Sequence, residues 1–495
     1  MPSTKQPNLL YIHSDQHAAA VAACYGDPLV QTPNLDRLAK EGVVLENVYC
    51  PSPLCTPSRM SMFSGRFPYE NQVWTNYHCL DSGIPTLAHA LGAAGYQPIL
   101  FGRMHSIGPD QLRGYAERYV GDHCSNYTES SNVDHGELQG TQGPKRVSLI
   151  KSGSGQNAYQ VHDEDVTQET IAYINQLGQR TRESLDSGKV PEPFCLSVGL
   201  MLPHQPFVAR REDYQIYEGR MSMPKIRQPF SEQLHPFIHS WRQEAGIQTV
   251  TNAEILRART AYWALVTRMD RLIGQILDAL RHNNLDQNTL IVYMSDHGEQ
   301  AGEHDLWWKQ TFYEHSVKVP TILSWPGRLP EGKRLHQVVS SLDLNATLLD
   351  ALDAPALPNS RGRSVLPLLE PTRSGQGVIW ENMAFSEFCT DDSRQHRMIR
   401  QGEWKLNYYH GQPVQLFNLA EDPDELNDLA GHPDYTGVQQ ELIDRVLDGW
   451  DPDQIAETMR RKRADYNIIA GWAKNTKPVD QYRWQLLPEM DYLDK

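Results

Sequence analysis

The stretch "TLIVYMSDHGE" at residues 289–299 places an apolar run directly before an aspartate and a histidine. A short continuous apolar run that ends at polar residues is typical of a buried strand in a parallel sheet. In open α/β sheets, ligands bind in the crevice beyond the carboxyl ends of the strands. Asp296 and His297 directly follow this run, and they are therefore candidate site residues.

Similar apolar runs predict further strands along the chain. They are "LLYI" (9–12), "PILF" (98–101), "FCLSVGLM" (194–201) and "VPTILSW" (319–325). Helical patterns lie between them, and the clearest covers 253–281, where apolar residues recur every three or four positions. This alternation predicts an α/β fold with a large mixed, mostly parallel sheet sandwiched by helices.

Polar residues also follow the other predicted strands. Asp15 follows the first, His105 the second and His204 the third. Each has a simpler explanation, because an aspartate after a strand often caps a helix and a single histidine is more often structural. Chemically compatible side chains at successive strand ends nevertheless indicate one shared site.

Composition excludes several function classes. Lys and Arg number 46 against 61 Asp and Glu, a formal net charge of −15, so nucleic-acid binding would need a local basic patch, and the sequence has none. No run approaches the roughly 18 apolar residues of a membrane span, and the N-terminus lacks a signal-peptide pattern. The seven cysteines are an odd number without CxxC pairs, which is typical of reduced thiols. We therefore expect a soluble, cytoplasmic protein.

The pattern changes after about residue 370. "GVIWEN" (377–382), "HRMIRQGEWKLNYY" (396–409) and "PVQLFNL" (413–419) predict short antiparallel strands joined by Gly turns, followed by a helix over 438–447. We therefore expect a catalytic α/β domain at 1–369, a smaller C-terminal α+β domain built on a short antiparallel sheet at 370–450, and an extension at 451–495.

The segment "SPLCTPSRMSMFSGR" (52–66) contains the pattern CxPSR at 55–59, with a glycine six residues after the arginine. Other landmarks follow in order: "NLLYIHSDQ" (8–16), "TPNLDRLAKEGVVLENVY" (32–49), "GRMHSIG" (102–108), "LPHQPF" (202–207), "SDHGE" (295–299) and "LFNLAEDPDELNDLA" (416–430). Over about residues 8–430 the chain resembles the type I, formylglycine-dependent sulfatases of the alkaline phosphatase superfamily. Within them it is most similar to the choline-sulfatase-like and phosphonate monoester hydrolase-like members.

The resemblance implies a role for the motif cysteine. Cys55 would be oxidised to formylglycine by a maturation enzyme, and the aldehyde would hydrate to a diol. One hydroxyl attacks sulfur, and the other loses its proton to expel sulfate as the aldehyde re-forms. Arg59 would orient the diol and offset its charge, whereas Arg103 stands where the family usually has lysine. Without the resemblance, Cys55 would be a half-buried free thiol.

The resemblance also implies a divalent cation held by Asp15, Asp296, His297 and the modified Cys55. Carboxylates favour Ca²⁺, and an imidazole ligand also suits Mn²⁺. Many sulfatases have two consecutive aspartates at the first position and Asp-Asn at the second. This chain has Asp15-Gln16 and Asp296-His297, which resembles the choline sulfatases and the phosphonate monoester and phosphodiester hydrolases.

Four further residues match family positions. His105 is the candidate base beside the formylglycine, and His204 with Lys309 would grip the sulfate and protonate the leaving oxygen. Asn76 would contact sulfate oxygens. As simpler alternatives, Lys309 could be a solvated surface lysine and Asn76 a turn residue.

These matches favour a sulfatase that hydrolyses alkyl or aryl sulfate monoesters. The enzymatic alternative is a phosphonate monoester or phosphodiester hydrolase using the same site. A catalytically inactive binding protein would lack the nucleophile or a metal ligand, and none is missing. Aromatic residues near the motifs could face a cationic or aromatic leaving group, or could belong to the core: Trp74, Tyr77, Trp307 and Trp308.

The extension carries three aromatic residues with a polar end, Trp472, Tyr482 and Trp484. Such residues are favoured at protein interfaces. Related enzymes are oligomers whose C-terminal extensions reach a neighbour. This resemblance predicts a homodimer or homotetramer in which 451–495 crosses between subunits. The alternative is a tail that folds back on its own domain.

Overall fold

The predicted apolar runs form strands in the structure, a computed structural model that describes residues 6–128, 133–369, 379–390 and 393–495. The strands are β1 (Asn8–Asp15), β2 (Val43–Tyr49), β3 (Pro98–Gly102), β4 (Glu117–Tyr119), β5 (Gly153–Gln156), β6 (Cys195–Pro203), β7 (Val208–Ala209), β8 (Thr289–Ser295), β9 (Lys318–Ser324), β10 (Lys333–Ser340), β11 (Met383–Cys389), β12 (Gln395–Gln401), β13 (Trp404–Tyr409), β14 (Gln415–Asn418) and β15 (Tyr492–Leu493).

The helices alternate with these strands in the first two-thirds of the chain. They are α1 (Pro33–Lys40), α2 (Cys55–Ser64), α3 (Pro68–Asn71), α4 (Leu87–Ala93), α5 (Val147–Ile150), α6 (Ala158–Asp186), α7 (Arg211–Tyr214), α8 (Pro236–Ala245), α9 (Asn252–His282), α10 (Glu314–Val317), α11 (Ser341–Ala351), α12 (Leu366–Leu369), α13 (Thr436–Leu447) and α14 (Pro452–Thr476).

The main sheet has eight strands in the order β10-β2-β9-β8-β1-β6-β3-β4. Strand β9 is antiparallel to β2 and β8, and the other neighbours are parallel. The predicted mixed, mostly parallel sheet is therefore confirmed. Strands β2, β4 and β10 belong to the sheet in addition to the five runs recognised in the sequence.

Helices cover both faces of this sheet. Successive side chains of a strand point to opposite faces, so the contacts of individual strand residues show which helix covers which face. The ring of Tyr11 on β1 lies 6.4 Å from that of Phe63 on α2. Ser14 bonds instead to Tyr293 of the neighbouring β8, and that hydroxyl contacts Met269 of α9. Helix α2 thus covers one face and α9 the other, as predicted.

The central strands bring the candidate residues together. Strands β1 and β8 are parallel neighbours, with Ser14 beside Ser295. The residues that follow, Asp15 and Asp296, therefore lie side by side at the carboxyl edge of the sheet.

The C-terminal part forms the predicted antiparallel sheet, in the order β11-β12-β13-β14. Gly402, with a φ of 56°, makes the turn between β12 and β13. The strand expected at 377–382 is wrong in position: residues 377–378 lie outside the described residues, and 379–382 precede β11. Asn382 has a left-handed φ of 57°, and its side chain accepts a hydrogen bond from Val338 N at 2.5 Å, so the chain turns there before pairing begins.

The last residues of the chain pack on the main body of the same chain. Strand β15 pairs with β5, and Trp484 Nε1 donates to Asp165 at 2.8 Å. Asp491 accepts from Ala158 N at 2.6 Å and from His135 Nδ1 at 2.7 Å. Among the described residues, no helix has the length and apolar character needed to cross a membrane.

Candidate active site

A buried cluster of potential metal ligands lies at the carboxyl edge of the sheet. Ligand atoms of Asp15, Cys55, Asp296 and His297 all lie within 4.8 Å of one another. Cys55 is the first residue of α2, and its Sγ is 3.1 Å from His297 Nε2 and 3.6 Å from Asp15 Oδ1. The structure therefore brings together the four residues expected to form the metal site.

The protonation states of this cluster suit a cation. Burial lowers the pKa of His297 to about 4, so its ring is neutral at physiological pH. Its Nδ1 donates to Gly298 O at 3.1 Å, which leaves the Nε2 lone pair facing the cluster. Burial acts to raise the pKa of Asp15, but the cationic side chains of Arg103 and Arg59 outweigh it and hold that pKa well below its ordinary value. A neutral imidazole and ionised carboxylates are the ligand forms that a divalent cation requires.

Arg59 ties the two carboxylates to α2. It lies one helical turn after Cys55, so both side chains occupy the same face of the helix. Its Nε donates to Asp296 at 2.8 Å, and its Nη2 donates to Asp15 at 3.3 Å. The side chain is fully buried, and its Nη1 also donates to His13 Nδ1 at 2.8 Å. The guanidinium therefore holds the two carboxylates in place and offsets their negative charge.

Arg103 links three polar groups. Its Nε donates to Asp15 at 2.6 Å, its Nη1 to Asp122 at 3.1 Å and its Nη2 to His105 Nδ1 at 2.9 Å. Asp122 also accepts from the backbone N–H of His105 at 3.0 Å, and His105 has a left-handed φ of 57°. Because Nδ1 of His105 accepts a hydrogen bond, its neutral ring carries the proton on Nε2. Burial, followed by Arg103, lowers the pKa of His105.

His204 and Lys309 form the predicted pair. Lys309 Nζ donates to His204 Nε2 at 2.9 Å, and His204 Nδ1 donates to Gln205 O at 2.6 Å. Burial, followed by Lys309, lowers the pKa of His204. His204 is thus a neutral acceptor that positions the lysine ammonium, and Lys309 is buried rather than solvated.

Asn76 lies at the edge of the site and does not join the cluster. Its Oδ1 accepts from Thr56 N at 3.0 Å, so the side chain caps the N-terminus of α2 from a separate loop. Of the aromatic residues near the motifs, Trp74, Trp307 and Trp308 are buried in the core, whereas Tyr77 is half-buried.

Comparisons with known proteins identify the family. The family model described as Sulfatase matches residues 7–354, and the model described as N-sulphoglucosamine sulphohydrolase, C-terminal, matches residues 302–450. The chain belongs to the sulfatase family. It is 32% identical over 480 residues to the choline-sulfatase of Rhizobium meliloti (strain 1021), covering 93% of this chain and 90% of that protein. It is 30% identical over 452 residues to arylsulfatase K of Homo sapiens, covering 86% and 80%.

A solved structure shows that the fold is shared more widely. The phosphonate monoester hydrolase of Agrobacterium radiobacter superposes with a TM-score of 0.74 at 21% identity, covering 90% of this chain and 95% of that one. At that identity the likeness concerns the fold alone. Family membership and the sulfatase relatives make this sulfatase a sulfuric ester hydrolase.

Sequence reasoning assigned no role to Gln16, Glu299 or Asp122. In this sulfatase, Gln16 Oε1 accepts from Lys309, and its Nε2 donates to Glu299 and, at 2.5 Å, to Gln205 Oε1. Burial raises the pKa of Glu299 to about 7. Gln16 therefore orients Lys309. Its place beside Asp15 in the motif is the only sequence indication of this contact.

Proposed function

We propose that the protein hydrolyses alkyl or aryl sulfate monoesters with a formylglycine made from Cys55 as the nucleophile. The position of Cys55 carries the proposal, because its sulfur lies between His297 and Asp15 at the start of α2. Burial, followed by Asp15, raises the pKa of the thiol to about 12, so the unmodified side chain is a weak, neutral nucleophile. An aldehyde hydrate supplied by a maturation enzyme would not depend on a thiolate.

The donor set supports a divalent cation bound by Asp15, Asp296, His297 and the modified residue 55. Two carboxylates favour Ca²⁺, and the imidazole also suits Mn²⁺. The cation would acidify the attacking hydroxyl and polarise the sulfate. Arg59 holds both carboxylates in place for it.

Residues of the chain itself would bind and protonate the substrate. Lys309 is the proton donor to the leaving oxygen as the S–O bond breaks, and His204 orients its ammonium. His105 presents Nε2–H, which fits a hydrogen-bond donor to an anionic oxygen better than the base suggested by the motif. Asn76, at the edge of the site, would contact the sulfate.

A substrate panel tests this proposal. Phenyl sulfate, an alkyl sulfate, a phosphodiester and a phosphonate monoester are compared by kcat/KM on converted enzyme, with Cys55→Ala as the inactive control. We expect the sulfate esters to be turned over fastest and Cys55→Ala to lose nearly all activity. A higher kcat/KM for the phosphonate or the phosphodiester would favour the alternative hydrolase, and full activity in Cys55→Ala would contradict the mechanism.

We also propose a homodimer or homotetramer, in the cytoplasm. Because the segment around Trp484 and Asp491 is bonded to its own chain, an intersubunit contact through the extension would use the exposed face of α14, where Ile468 is 76% exposed. All seven cysteines lie among the described residues and none is in a disulfide, which fits a reducing compartment. Light scattering of Ile468→Asp should give a smaller mass than that of the unmodified chain, and an unchanged mass would exclude this face.

A further inference from the structure

A cavity of about 250 Å³ lies between α14 and three chain segments at residues 77–79, 107–109 and 127–128. Its lining includes Tyr77, Ile107 and Tyr127 from these segments, and Lys462 and Tyr466 from α14. Pockets for drug-sized ligands are typically about 300–1,000 Å³. This cavity is somewhat smaller, and its size suits a single ring with one substituent.

Two short chain segments connect the lining of the cavity to residues of the active site. Tyr77 follows Asn76, which caps α2 through the backbone N–H of Thr56 at 3.0 Å. Ile107 lies two residues after His105, whose carbonyl oxygen is 3.4 Å from the hydroxyl of Thr56. Consecutive Cα atoms are about 3.8 Å apart. Both walls of the cavity therefore begin one or two residues after a residue that is hydrogen-bonded to Thr56, the second residue of α2.

The cavity presents aromatic surfaces. The rings of Tyr77 and Tyr466 lie 4.7 Å apart at 44°, and Tyr127 packs edge-on against Trp472 of α14 at 5.1 Å. Tyrosine rings pack well against a planar ring in an offset or edge-to-face arrangement. This lining favours an aromatic ligand.

Lys462 gives the cavity a positive charge. The side chain is half-buried, and among the described residues it has no carboxylate within 4.0 Å and no hydrogen-bond partner. Asp465 also lines the cavity but is exposed to solvent, so water screens its charge more strongly than that of Lys462. An anion can therefore gain a charge-assisted contact with Lys462, whereas a quaternary ammonium would meet a like charge.

We propose that this cavity receives the leaving group of the sulfate ester and selects a phenol that carries a second anionic group, such as a carboxylate. This inference rests on the proposed sulfatase function and adds the class of alcohol. The preferred leaving group would then be anionic, whereas the relative named choline-sulfatase is named for a cationic alcohol.

Three esters that differ in the charge of the leaving group test the selection: 4-carboxyphenyl sulfate, phenyl sulfate and choline sulfate. Lys462→Glu should lower kcat/KM for the carboxyphenyl ester about tenfold relative to phenyl sulfate, because attraction becomes repulsion. The same change should raise the relative kcat/KM for choline sulfate. Lys474→Glu is the matched control, since Lys474 is an exposed cation on the same helix α14 and does not line the cavity. Its ratios should stay within about twofold of the unmodified enzyme.

Equilibrium binding of 4-hydroxybenzoate, measured by calorimetry, tests the cavity without turnover. It should bind the unmodified protein, more weakly Lys462→Met, and least Lys462→Glu, with thermal melts confirming that each variant is folded. Equal affinities for 4-hydroxybenzoate among these proteins, or unchanged ester ratios in Lys462→Glu, would overturn the inference about the cavity. Sulfate release from phenyl sulfate in the same experiments would show that the proposed function still holds. Absence of sulfate release from every ester would instead contradict the proposed function, and calorimetry would then decide the cavity.

Discussion

His297 supplies an imidazole to the acidic cluster, with its ring oriented by the bond from Nδ1 to Gly298 O. We predict that His297→Ala loses most of its bound Ca²⁺ or Mn²⁺ by elemental analysis. The unmodified protein should melt at a higher temperature with the cation than with a chelator, since a ligand at 100 times its Kd adds about 2.7 kcal/mol of stability. This difference should vanish in His297→Ala.

The surface variant His336→Ala controls for loss of an imidazole, because that side chain is 72% exposed. It should keep both the cation and the chelator-dependent shift in melting temperature. Full metal content in His297→Ala would contradict the ligand assignment.

Glu387 is a buried carboxyl group on β11, and burial raises its pKa to about 7 despite the opposing effect of Arg397. The unfolded chain has the ordinary glutamate pKa, so the folded state binds more protons between about pH 4.5 and 7. The free energy of unfolding should therefore fall as pH rises through this range and level off above it. The total change from this group is on the order of 3 kcal/mol.

Urea unfolding at several pH values tests this sign. Glu387→Gln should remove that part of the pH dependence, so its stability relative to the unmodified protein should increase from pH 5 to pH 8. Glu403→Gln, on the exposed turn of the same sheet, should leave the profile unchanged. A parallel profile for Glu387→Gln would contradict the raised pKa.

Part of the site could be predicted from single residues. Asp15, Asp296 and His297 follow apolar strands, so sheet topology alone places them at one edge. Gln16 and Glu299 could not be assigned in the same way, because they bond to side chains hundreds of residues away in the sequence. Such contacts depend on tertiary packing rather than on local pattern.

At the scale of elements, the strands with continuous apolar runs were predictable, whereas the edge strands β4 and β10 and the interior strand β2 were not. The predicted helix at 253–281 is observed as Asn252–His282, and its start is fixed by a capping box between Thr251 and Glu254. Strand β10 lies at the edge of the sheet and carries the exposed residues Arg334 and His336, so its sequence lacks a buried-strand pattern. The turn at Asn382 shows a similar limit, since its bond to Val338 is non-local.

A buried lysine joins the small sheet to the main body. Lys405 on β13 is fully buried, and its Nζ lies 2.8 Å from both Glu314 at the start of α10 and Glu425 after β14. Lys405→Met would leave these carboxylates without their cation. We predict a loss of about 3–5 kcal/mol in the free energy of unfolding, the usual cost of breaking a buried ion pair.

Urea unfolding of Lys405→Met, with the exposed Lys189→Met as control, measures this contribution. Adding Glu314→Gln and Glu425→Gln to Lys405→Met should restore part of the stability, because the unpaired charges are removed. A loss below about 1 kcal/mol, typical of surface pairs, would show that this junction contributes little.

At the scale of the whole molecule, the C-terminal residues 480–494 contact Asp122, whose side chain is hydrogen-bonded to residues of the active site. Trp484 N donates to Asp122 O at 2.9 Å, and the Asp122 carboxylate holds Arg103 and His105. Residues 480–494 therefore fold back on their own chain, which was the alternative to a contact between subunits. The oligomer and the division into 1–369, 370–450 and 451–495 stay predictions.

Asp491 anchors this tail through two buried hydrogen bonds, to Ala158 N and to His135. We predict that Asp491→Ala lowers the free energy of unfolding by about 1–3 kcal/mol, because buried donors lose their acceptor. Glu489→Ala, an exposed neighbour, should have no effect in the same urea titration. An unchanged midpoint for Asp491→Ala would show that the tail is not held at this point.

The central claim is that activity depends on chemical conversion of Cys55. The most direct measurement compares specific activity toward phenyl sulfate with the converted fraction of residue 55, across preparations made with increasing amounts of the maturation enzyme. Mass spectrometry of the peptide reports conversion as the loss of one sulfur and two hydrogens and the gain of one oxygen. We predict a straight line through the origin. Full activity in protein that carries only the unmodified thiol would contradict the account.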